Sequence, residues 1–393
     1  MPATEETDAI PKLTVGVPRE TRSGETRVSL TPDVVRQLSR KPFEVIVERG
    51  AGEQAGFTDD AFEAAGARLV GSAKDVYSSA RVILKIQRPT DEETALLSEG
   101  QVLVALLQPL TNQDSVVKLS EQKVTALSME SIPRITRAQS MDVLSSMSTC
   151  GGYMAVLLAA THLPKFFPLL MTAAGTIPPA KVLVLGAGVA GLQAIATARR
   201  LGAQVEAFDT RPVVKEQVES LGAKFIDIEL EEDTEAEGGY AKELAEDHIK
   251  KEQEAIHAHA QKSDVVITTA LVPGRRAPIL IREETVKEMA PGSVILDMAG
   301  EMGGNCEVTT PGETTVVHGV TIMSPFDLPT TMPFHASQMF AKNTATLLEH
   351  LAPDGQLEFN MEDEITRGVV LTRDGEVLHG PTLEWMKEKE GTA

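Results

Sequence analysis

The chain is 393 residues long, and its 42% hydrophobic and 24% charged residues are ordinary for a globular protein of two or three domains. Its formal net charge of −20 argues against a nucleic-acid partner and against docking on anionic lipid heads, because both depend on basic residues. The two cysteines, Cys150 and Cys306, lack metal-ligand spacing, so we expect reduced, buried thiols in a cytoplasmic protein.

Neither a signal peptide nor a membrane span is predicted. The first eight residues are acidic and have no apolar core segment. The best candidate for a span, residues 153–171, is interrupted by His162, Pro164, Lys165 and Pro168. The uninterrupted stretches are too short to cross a bilayer, so we expect no direct membrane insertion.

The first third of the chain alternates apolar runs with short helical segments. Predicted strands lie at 13–17, 43–47, 82–86, 102–107 and 124–128, and predicted helices at 59–65 and 111–120. Another helix begins after Thr31, with Thr31 as the capping residue and Pro32 at the first helical position. This alternation predicts an α/β domain with a mainly parallel sheet, which a long helix at about 140–161 joins to the next half.

A glycine-rich turn in the second half carries the strongest functional signal. The apolar run 182–185 leads into Gly186, Gly188 and Gly191, and small and apolar residues continue at helical spacing to Ala198. A second apolar run then ends in an acid, Asp209, 18 residues past Gly191. The order strand, glycine turn, helix, strand and acid is typical of a dinucleotide-binding site.

Each element of this motif has a physical role in binding a dinucleotide. The first glycine permits the tight turn, the second lets the backbone approach a pyrophosphate, and the third lets the helix pack closely. The helix N-terminus, beginning near Val189, favours phosphate. Asp209 would accept hydrogen bonds from a ribose 2′-OH, which favours NAD(H) over NADP(H), although Arg211 after Thr210 argues the opposite way.

The remaining elements complete a second α/β unit and return the chain to the first. Strands are predicted at 224–228, 265–269 and 293–297, a helix at 333–351, a hairpin turn at 373–375 and a frayed end from Lys387. The expected fold is α/β, with two Rossmann-like domains whose mainly parallel sheets are joined by long helices. Residues 1–144 with 327–393 form the first domain, and residues 145–326 form the dinucleotide-binding domain.

Five segments together resemble one known family. They are SMESIPRITRAQSMD (128–142), GAGVAGLQAIATA (186–198), KEQVESLG (215–222), GGYAKE (238–243) and DMAGEMGGNC (297–306). In these segments the chain resembles the soluble NAD(H)-binding subunit of the proton-translocating NAD(P) transhydrogenases. The resemblance extends from about residue 13 into the C-terminal hairpin.

The resemblance implies a function and a set of partners. Family members form dimers, hold NAD(H) between two Rossmann-like domains and dock onto an NADP(H)-binding subunit attached to a membrane proton channel. Hydride passes from NADH to NADP⁺ on that partner. A cytoplasmic protein, peripheral to the inner (plasma) membrane through its partner subunits, is therefore expected, with no bound metal.

The resemblance also assigns site residues. The residues that position the nicotinamide fall on Arg134, Gln139 and Asp142, and the tyrosine of a mobile loop falls on Tyr240 after Gly239. Further cofactor contacts are implied for the glycine motif and its flanks and at two later strand ends: Gly186, Gly188, Val189, Gly191, Asp209, Thr210, Arg211, Leu271 and Asn305. A glutamine of some members is Glu252 here, and that contact is not carried over.

Structural explanations compete with several of these assignments. Asp142 suits the first turn of the long helix, where it would complement the dipole and pair with Arg134. Tyr240 would be an exposed loop residue, and Leu271 and Asn305 ordinary exit and turn residues. His257 and His259 lie two residues apart on a predicted helix, so we expect them to be solvent-exposed rather than metal ligands.

Alanine dehydrogenase, whose fold is related, is the main alternative. Its substrate-binding arginine and lysine would correspond to Arg27 and Lys85, which salt bridges in a retained scaffold explain equally well. Its catalytic histidine would correspond to Gln108, and a glutamine cannot act as a general acid. A non-catalytic NAD(H)-sensing module is a third hypothesis. Because one complete dinucleotide motif is present, we expect the isolated chain to bind NADH but to catalyse little.

Overall fold

The computed structural model describes residues 12–228, 239–271 and 275–391, with the side chains of 239–249, 390 and 391 left aside. The chain divides into two compact units. The first comprises the described residues up to Met147 and those from Thr330 onward, and the second is Ser148–Pro329.

The strands of the described residues are short. In chain order they are β1 (Leu13–Val17), β2 (Phe43–Glu48), β3 (Arg68–Val70), β4 (Val82–Gln87), β5 (Val102–Leu106), β6 (Thr125–Ser128), β7 (Leu170–Thr172), β8 (Gly175–Ile177), β9 (Lys181–Leu185), β10 (Gln204–Phe208), β11 (Lys224–Phe225), β12 (Val265–Thr268), β13 (Val294–Asp297), β14 (Thr314–Val317), β15 (Val320–Met323), β16 (Val370–Arg373) and β17 (Glu376–Val377).

The α-helices connect these strands and cover the sheets. They are α1 (Pro32–Leu38), α2 (Asp59–Ala65), α3 (Ala73–Ser79), α4 (Asp91–Thr94), α5 (Gln113–Glu121), α6 (Val143–His162), α7 (Val189–Arg200), α8 (Lys215–Ser220), α9 (Gly239–Ala260), α10 (Glu283–Glu288), α11 (Pro333–Leu351), α12 (Glu364–Val369) and α13 (Gly380–Gly391).

The first unit is built on one sheet in the order β17-β16-β6-β5-β4-β1-β2-β3. Strands β1 to β6 pair in parallel, whereas β16 and β17 add an antiparallel edge. The central strand β4 is buried along all but its last residue. Parallel strands covered by helices on both faces need such continuous apolar runs, which is why periodicity located them in the sequence.

The second unit has a sheet in the order β11-β10-β9-β12-β13-β15-β14, parallel except at the β14 edge. From β9 the chain builds outward through β10 to β11, and then returns to the other side of β9 with β12 and β13. The order therefore reverses between β9 and β12. In open α/β sheets, ligands bind at the carboxyl ends of the strands beside such a switch point.

Helix α6 is long and apolar enough to cross a membrane by length and composition, with a mean hydropathy of 1.5 over its most apolar window. In the second unit its residues Ala155, Val156 and Ala159 are buried in the core formed with β9 and α7. A Cβ at Gly152 would lie 2.1 Å from the carbonyl oxygen of Ala190, so this helix packs against the start of α7. Because 39% of that window is buried, core packing accounts for part of its apolar composition.

The α/β class with two mainly parallel sheets is confirmed. The bounds of β1, α2 and α11 match the sequence prediction, and Asp374 and Gly375 have the positive φ angles, 53° and 86°, of a tight hairpin turn.

Thr31 is the N-cap of α1 and Pro32 its first residue, as the sequence predicts, although the Thr31 side chain makes no capping hydrogen bond. Other local expectations were wrong. The predicted strand 224–228 is only two residues long. The residues from Lys387, predicted to fray, lie in α13 as far as Gly391, and their fraying stays a prediction. Sequence periodicity also missed the hairpin of β7 and β8, which is too short to show an alternating pattern.

Candidate functional site

The glycine turn occupies the carboxyl end of β9, beside the switch point of the second sheet. Gly186 follows β9 directly with φ +98°, a backbone conformation that side chains strongly disfavour. Gly188 is the N-cap of α7, so the helix starts with its free N–H groups at the end of the turn. Val189, the first helical residue, is 43% exposed there.

The three glycines differ in what surrounds them. A Cβ at Gly191 would lie 1.8 Å from the carbonyl oxygen of Gly186, and a Cβ at Gly186 would lie 2.6 Å from Thr269 Oγ1. These two positions are therefore required by packing. A Cβ at Gly188 would meet nothing within 4 Å. Open space beside backbone N–H groups at a helix N-terminus fits a pyrophosphate.

Asp209 closes the turn from the end of β10. Its Oδ2 accepts a hydrogen bond from the Ala187 N–H at 2.7 Å, while Oδ1 accepts from the backbone N–H and Nε of Arg211, both at 2.9 Å. The Arg211 Nη2 donates to Oδ2 at 2.9 Å. Partial burial opposes ionisation, but these hydrogen bonds lower the pKa of Asp209.

In the sequence, Asp209 favours NAD(H) and Arg211 favours NADP(H). In the structure the two side chains form one ion pair. The Asp209 side chain is 7% exposed, and the guanidinium of Arg211, 57% exposed, covers it. A ribose hydroxyl at this carboxylate must therefore replace one of the hydrogen bonds from Arg211. Thr210 and Arg211 are exposed at the same edge of the sheet.

Asn305 lies in a bend after Gly303 and Gly304, and its side chain is not exposed to a ligand. It is fully buried, and its Nδ2 donates to the carbonyl oxygens of Ala270 at 2.9 Å and Pro278 at 2.8 Å. Its Oδ1 accepts from the Ala270 N–H at 3.1 Å. Direct contact with a cofactor is thus not supported. Asn305 instead holds the chain on either side of Leu271, which is 52% exposed.

Asp297 positions Asn305, and sequence analysis missed it. At the end of β13 its fully buried carboxylate accepts the Asn305 N–H at 2.8 Å, the Cys306 N–H at 3.0 Å and the Thr309 hydroxyl at 2.7 Å. Thr268 at the end of β12 donates to its other oxygen at 2.9 Å. A strand-final acid within a glycine-rich segment was the available signal.

Two predicted contacts cannot be placed. Residues 229–238 and 272–274 lie outside the described residues, so the expected mobile loop and the turn after Leu271 cannot be compared. Gly239 and Tyr240 begin helix α9, but their side-chain surroundings are likewise outside the described region of the chain.

The three residues expected to position a nicotinamide lie together in the first unit. A 3₁₀ helix, Thr136–Met141, carries Gln139, and Arg134 precedes it. Both side chains are exposed, and neither has a hydrogen bond or ion pair with another described residue. The expected Arg134–Asp142 pair is absent from the described contacts. Their unused donors remain available to a ligand.

The contacts of Asp142 agree with the structural explanation that this residue stabilises the start of the long helix. It ends the 3₁₀ helix and precedes α6, where Oδ1 accepts the Ser145 N–H at 2.9 Å and Oδ2 accepts the Ser145 hydroxyl at 2.6 Å. This is the geometry of a helix N-cap. Each carboxylate oxygen still has a second lone pair, so capping does not exclude a ligand contact.

The 3₁₀ helix that carries Gln139 is tied to a distant segment of the first unit. The guanidinium of Arg137 pairs with Asp363, which also accepts from the Thr366 N–H at 2.9 Å and bonds His350 Nε2 at 3.1 Å. Burial raises the pKa of Asp363, but these stronger hydrogen bonds hold it well below its usual range. Asp363 therefore fixes this segment from 226 residues away in sequence.

The cations that alanine dehydrogenase would use for substrate are buried and paired. Arg27 Nη2 contacts Glu25 Oε2 at 2.6 Å, and Lys85 Nζ lies 2.8 Å from Glu93 and 3.1 Å from Glu20. Side-chain exposure is 6% or less for all five. This arrangement favours the scaffold explanation.

Gln108 is the residue expected to replace the catalytic histidine in the alanine dehydrogenase alternative. It has φ +50° and is exposed, and its backbone N–H donates to the carboxylate of Glu130. Burial raises the pKa of Glu130 despite the hydrogen bonds that it accepts from Ser128 and the backbone. The side chain at this position offers an amide and no proton donor of suitable pKa.

The two histidines of α9 were wrongly expected to be solvent-exposed. His259 Nδ1 lies 2.6 Å from Glu206 Oε2, and His257 Nδ1 lies 2.9 Å from the Thr285 hydroxyl. Their side chains are 29% and 32% exposed. Among the described residues, no group of three or more histidine, cysteine or acidic residues is arranged to hold a metal ion.

Comparisons with known proteins cover nearly the whole chain. Residues 16–151 match the family model "Alanine dehydrogenase/PNT, N-terminal domain", and residues 155–380 match "Alanine dehydrogenase/PNT, C-terminal domain". The chain is 50% identical to an NAD(P) transhydrogenase alpha-subunit protein of Rhodospirillum rubrum, over 93% of this chain and 98% of that protein.

Two solved structures share the fold. The transhydrogenase of Sinorhizobium meliloti has a TM-score of 0.82 and 41% identity, covering 93% of this chain and 99% of the other. An L-alanine dehydrogenase has a TM-score of 0.80 and 27% identity, covering 96% and 99%. The near-equal TM-scores do not separate the two activities, whereas sequence identity favours the transhydrogenase.

Proposed function

Because the chain belongs to the NAD(P) transhydrogenase alpha-subunit family, an oxidoreductase family that uses nicotinamide nucleotides, we propose that it binds NAD(H) at the glycine turn of its second unit. It passes hydride from NADH to NADP⁺ held on a partner subunit, coupled to proton translocation through a membrane subunit. The observation that carries the proposal is the open backbone at Gly188 between two glycines required by packing.

The residues of the second unit bind and orient the dinucleotide. Gly186, Gly188 and Gly191 allow the pyrophosphate to reach the N–H groups that begin with Val189. Asp209 accepts from the ribose, while Thr210 and Arg211 flank it, and Leu271 offers an exposed apolar contact. Asn305 acts by holding the backbone around Leu271, and Gly239 and Tyr240 cover the cofactor.

Gln139, Arg134 and Asp142 position the reacting ring. The Gln139 amide, which has no partner among the described residues, can donate to and accept from a carboxamide, and the Arg134 guanidinium, likewise without a described partner, contributes further donors. Bound NADH supplies the hydride. Transfer between two nicotinamides moves no proton at the reacting carbons, so these residues need to position the ring and exclude water rather than act as acids. The amide of Gln108 agrees with this requirement.

Partner subunits supply the second nucleotide site and the membrane channel, and they hold this chain at the cytoplasmic face of the membrane. A second copy of the chain is also proposed. The hairpin of β7 and β8 pairs with no further strand among the described residues, and Leu169, just before it, and Met171, within β7, are 53% and 79% exposed. An isolated two-stranded hairpin is marginally stable, which favours covering it by dimerisation.

The test uses NADH deuterated at C4 and follows the transfer of deuterium in two mixtures. One contains NADP⁺ and an NADP(H)-binding partner of proven competence, and the other contains pyruvate and ammonia. Deuterium in NADPH, only with the partner, is the expected result. Label in alanine would instead establish an amino-acid dehydrogenase. Tight NADH binding with neither product would favour the sensing module. The Gly188→Ala variant is the matched control, because at limiting NADH it should reduce label transfer without unfolding the chain.

A further inference from the structure

A second concave site lies in the second unit, away from the glycine turn. A cavity of about 520 Å³ is lined by the first residues of neighbouring parallel strands, including Lys181 of β9 and Lys224 of β11. The glycine turn follows the last residue of β9. Val182 of β9 also lines the cavity, so three strand residues, 183–185, separate it from Gly186, about 13 Å along the sheet.

The lining of this cavity is strongly basic in an acidic protein. It contains Lys181, Arg199, Lys224 and Lys262, together with His259, against the single carboxylate of Glu206. The whole chain has a net charge of −20, with 57 acidic and 37 basic residues. A concave surface whose charge opposes that of the molecule concentrates anions from solution.

The one acid of the cavity is already neutralised. Glu206 Oε2 lies 2.6 Å from His259 Nδ1, and Lys224 Nζ lies 3.2 Å from Glu206 Oε1. Partial burial opposes ionisation, but the hydrogen bonds from His259 and Lys224 lower the pKa of Glu206. Glu206 therefore orients Lys224 and His259, and the other three basic groups form no ion pair with it.

Those three cations have unused donors. The ammonium groups of Lys181 and Lys262 have no hydrogen bond or ion pair with another described residue. Arg199 donates through Nη1 to the Ala203 carbonyl at 3.1 Å, which anchors the guanidinium and leaves donors on Nε and Nη2. Both nitrogens would lie 3.3 Å from a Cβ at Gly222, so this glycine leaves room beside them.

We propose that this cavity binds a small phosphate-bearing anion at a site separate from the dinucleotide turn, with Arg199, Lys181 and Lys262 as its donors. An anchored guanidinium matches the geometry of phosphate oxygens, and two mobile ammonium groups add charge. The volume suits a phosphate ester rather than a polymer.

The test is calorimetric titration of inorganic pyrophosphate into the full chain at low salt. Wild type is compared with the Lys181→Gln/Lys262→Gln variant and with Lys74→Gln/Lys342→Gln, which removes the same charge from exposed lysines of the first unit. Binding at the glycine turn is common to all three proteins. We expect a binding event that the cavity variant weakens at least about tenfold and the control leaves within about twofold.

Two results would overturn the proposal. Identical titrations of wild type and cavity variant would mean that pyrophosphate binds only elsewhere, or not at all. Equal weakening in both variants would mean that net charge alone is responsible. The Arg199→Lys variant gives a second measurement. The substitution keeps the positive charge and removes the planar guanidinium donors. If Arg199 contacts the phosphate, this variant should bind pyrophosphate several-fold more weakly than wild type does.

Discussion

Asn305 and Ala270 are joined by two hydrogen bonds, one in each direction. The Asn305 Oδ1 accepts the Ala270 N–H at 3.1 Å, and its Nδ2 donates to the Ala270 carbonyl at 2.9 Å. The amide thereby mimics one rung of a β-ladder at the end of β12. Since Asp297 fixes the backbone of Asn305, the end of β13 determines the path of the chain that leaves β12 toward Leu271.

Replacing Asn305 should cost stability and cofactor affinity together. Asn305→Ala leaves the partly buried N–H and C=O of Ala270 and the C=O of Pro278 without their side-chain partner, at a cost of about 1–3 kcal/mol. Asn305→Asp should cost more, because a carboxylate would face the Ala270 and Pro278 carbonyl oxygens. Chemical denaturation and NADH titration check both. The exposed Gln356→Ala, whose side chain has no partner among the described residues, is the control. Wild-type NADH affinity in a destabilised Asn305 variant would contradict its positioning role.

Gly188 and Gly191 should separate binding from folding. Gly188→Ala meets no atom within 4 Å and has φ −73°, so its melting temperature should be unchanged while NADH affinity falls at least about tenfold. Gly191→Ala places a Cβ 1.8 Å from a carbonyl oxygen and should destabilise the second unit. Calorimetry and NADH titration of both variants measure this contrast. Normal binding by Gly188→Ala would remove the glycine turn from the cofactor site.

The Asp209–Arg211 pair should control the choice between NADH and NADPH. Asp209→Ala releases Arg211 to meet a 2′-phosphate, so NADH binding should weaken and the preference for it over NADPH should relax. Arg211→Ala should leave the preference for NADH intact. The ratio of the two dissociation constants measures the effect, with the exposed Arg200→Ala as control. An unchanged ratio in Asp209→Ala would remove this residue from the ribose site.

Gln139→Ala should slow hydride transfer far more than it weakens NADH binding. Its side chain has no protein partner among the described residues, so folding should be unaffected. Single-turnover rates with the competent partner and equilibrium NADH titration separate the two effects. Ser140→Ala, on the same 3₁₀ helix, is the control. Equal losses of rate and affinity would mean that Gln139 is only a binding contact.

Both cysteine thiols should resist labelling in the folded chain. Cys150 and Cys306 are buried, and burial raises the pKa of the Cys306 thiol to about 11. At a pH of about 8, only about one Cys306 in a thousand would be thiolate, compared with about a quarter at the usual pKa. Protection of the Cys306 thiol from labelling should hold at pH values below the usual thiol pKa, and it should weaken as the pH approaches about 11. A disulfide-exchange reagent should therefore label the two thiols only after denaturation; rapid native labelling would contradict this.

The sequence sufficed wherever structure depends on near neighbours. Apolar runs located the parallel strands, because strands buried on both faces have no polar face to interrupt the pattern. The glycine spacing located the turn, since a positive φ at Gly186 and close packing at Gly191 are local demands on residue type. The five resembling segments also sufficed to predict the family.

The sequence by itself therefore determined the α/β architecture, the dinucleotide turn and the family of this protein. Tertiary structure alone decided which polar side chains are free. Asn305 and Ala270 are 35 residues apart, Asp297 and Thr268 are 29 apart, and Glu206 and His259 are 53 apart. Residue spacing carries no record of such pairings, because they form only when distant strands align. The exposed amide of Gln139 and the buried amide of Asn305 thus differ by fold, not by residue type.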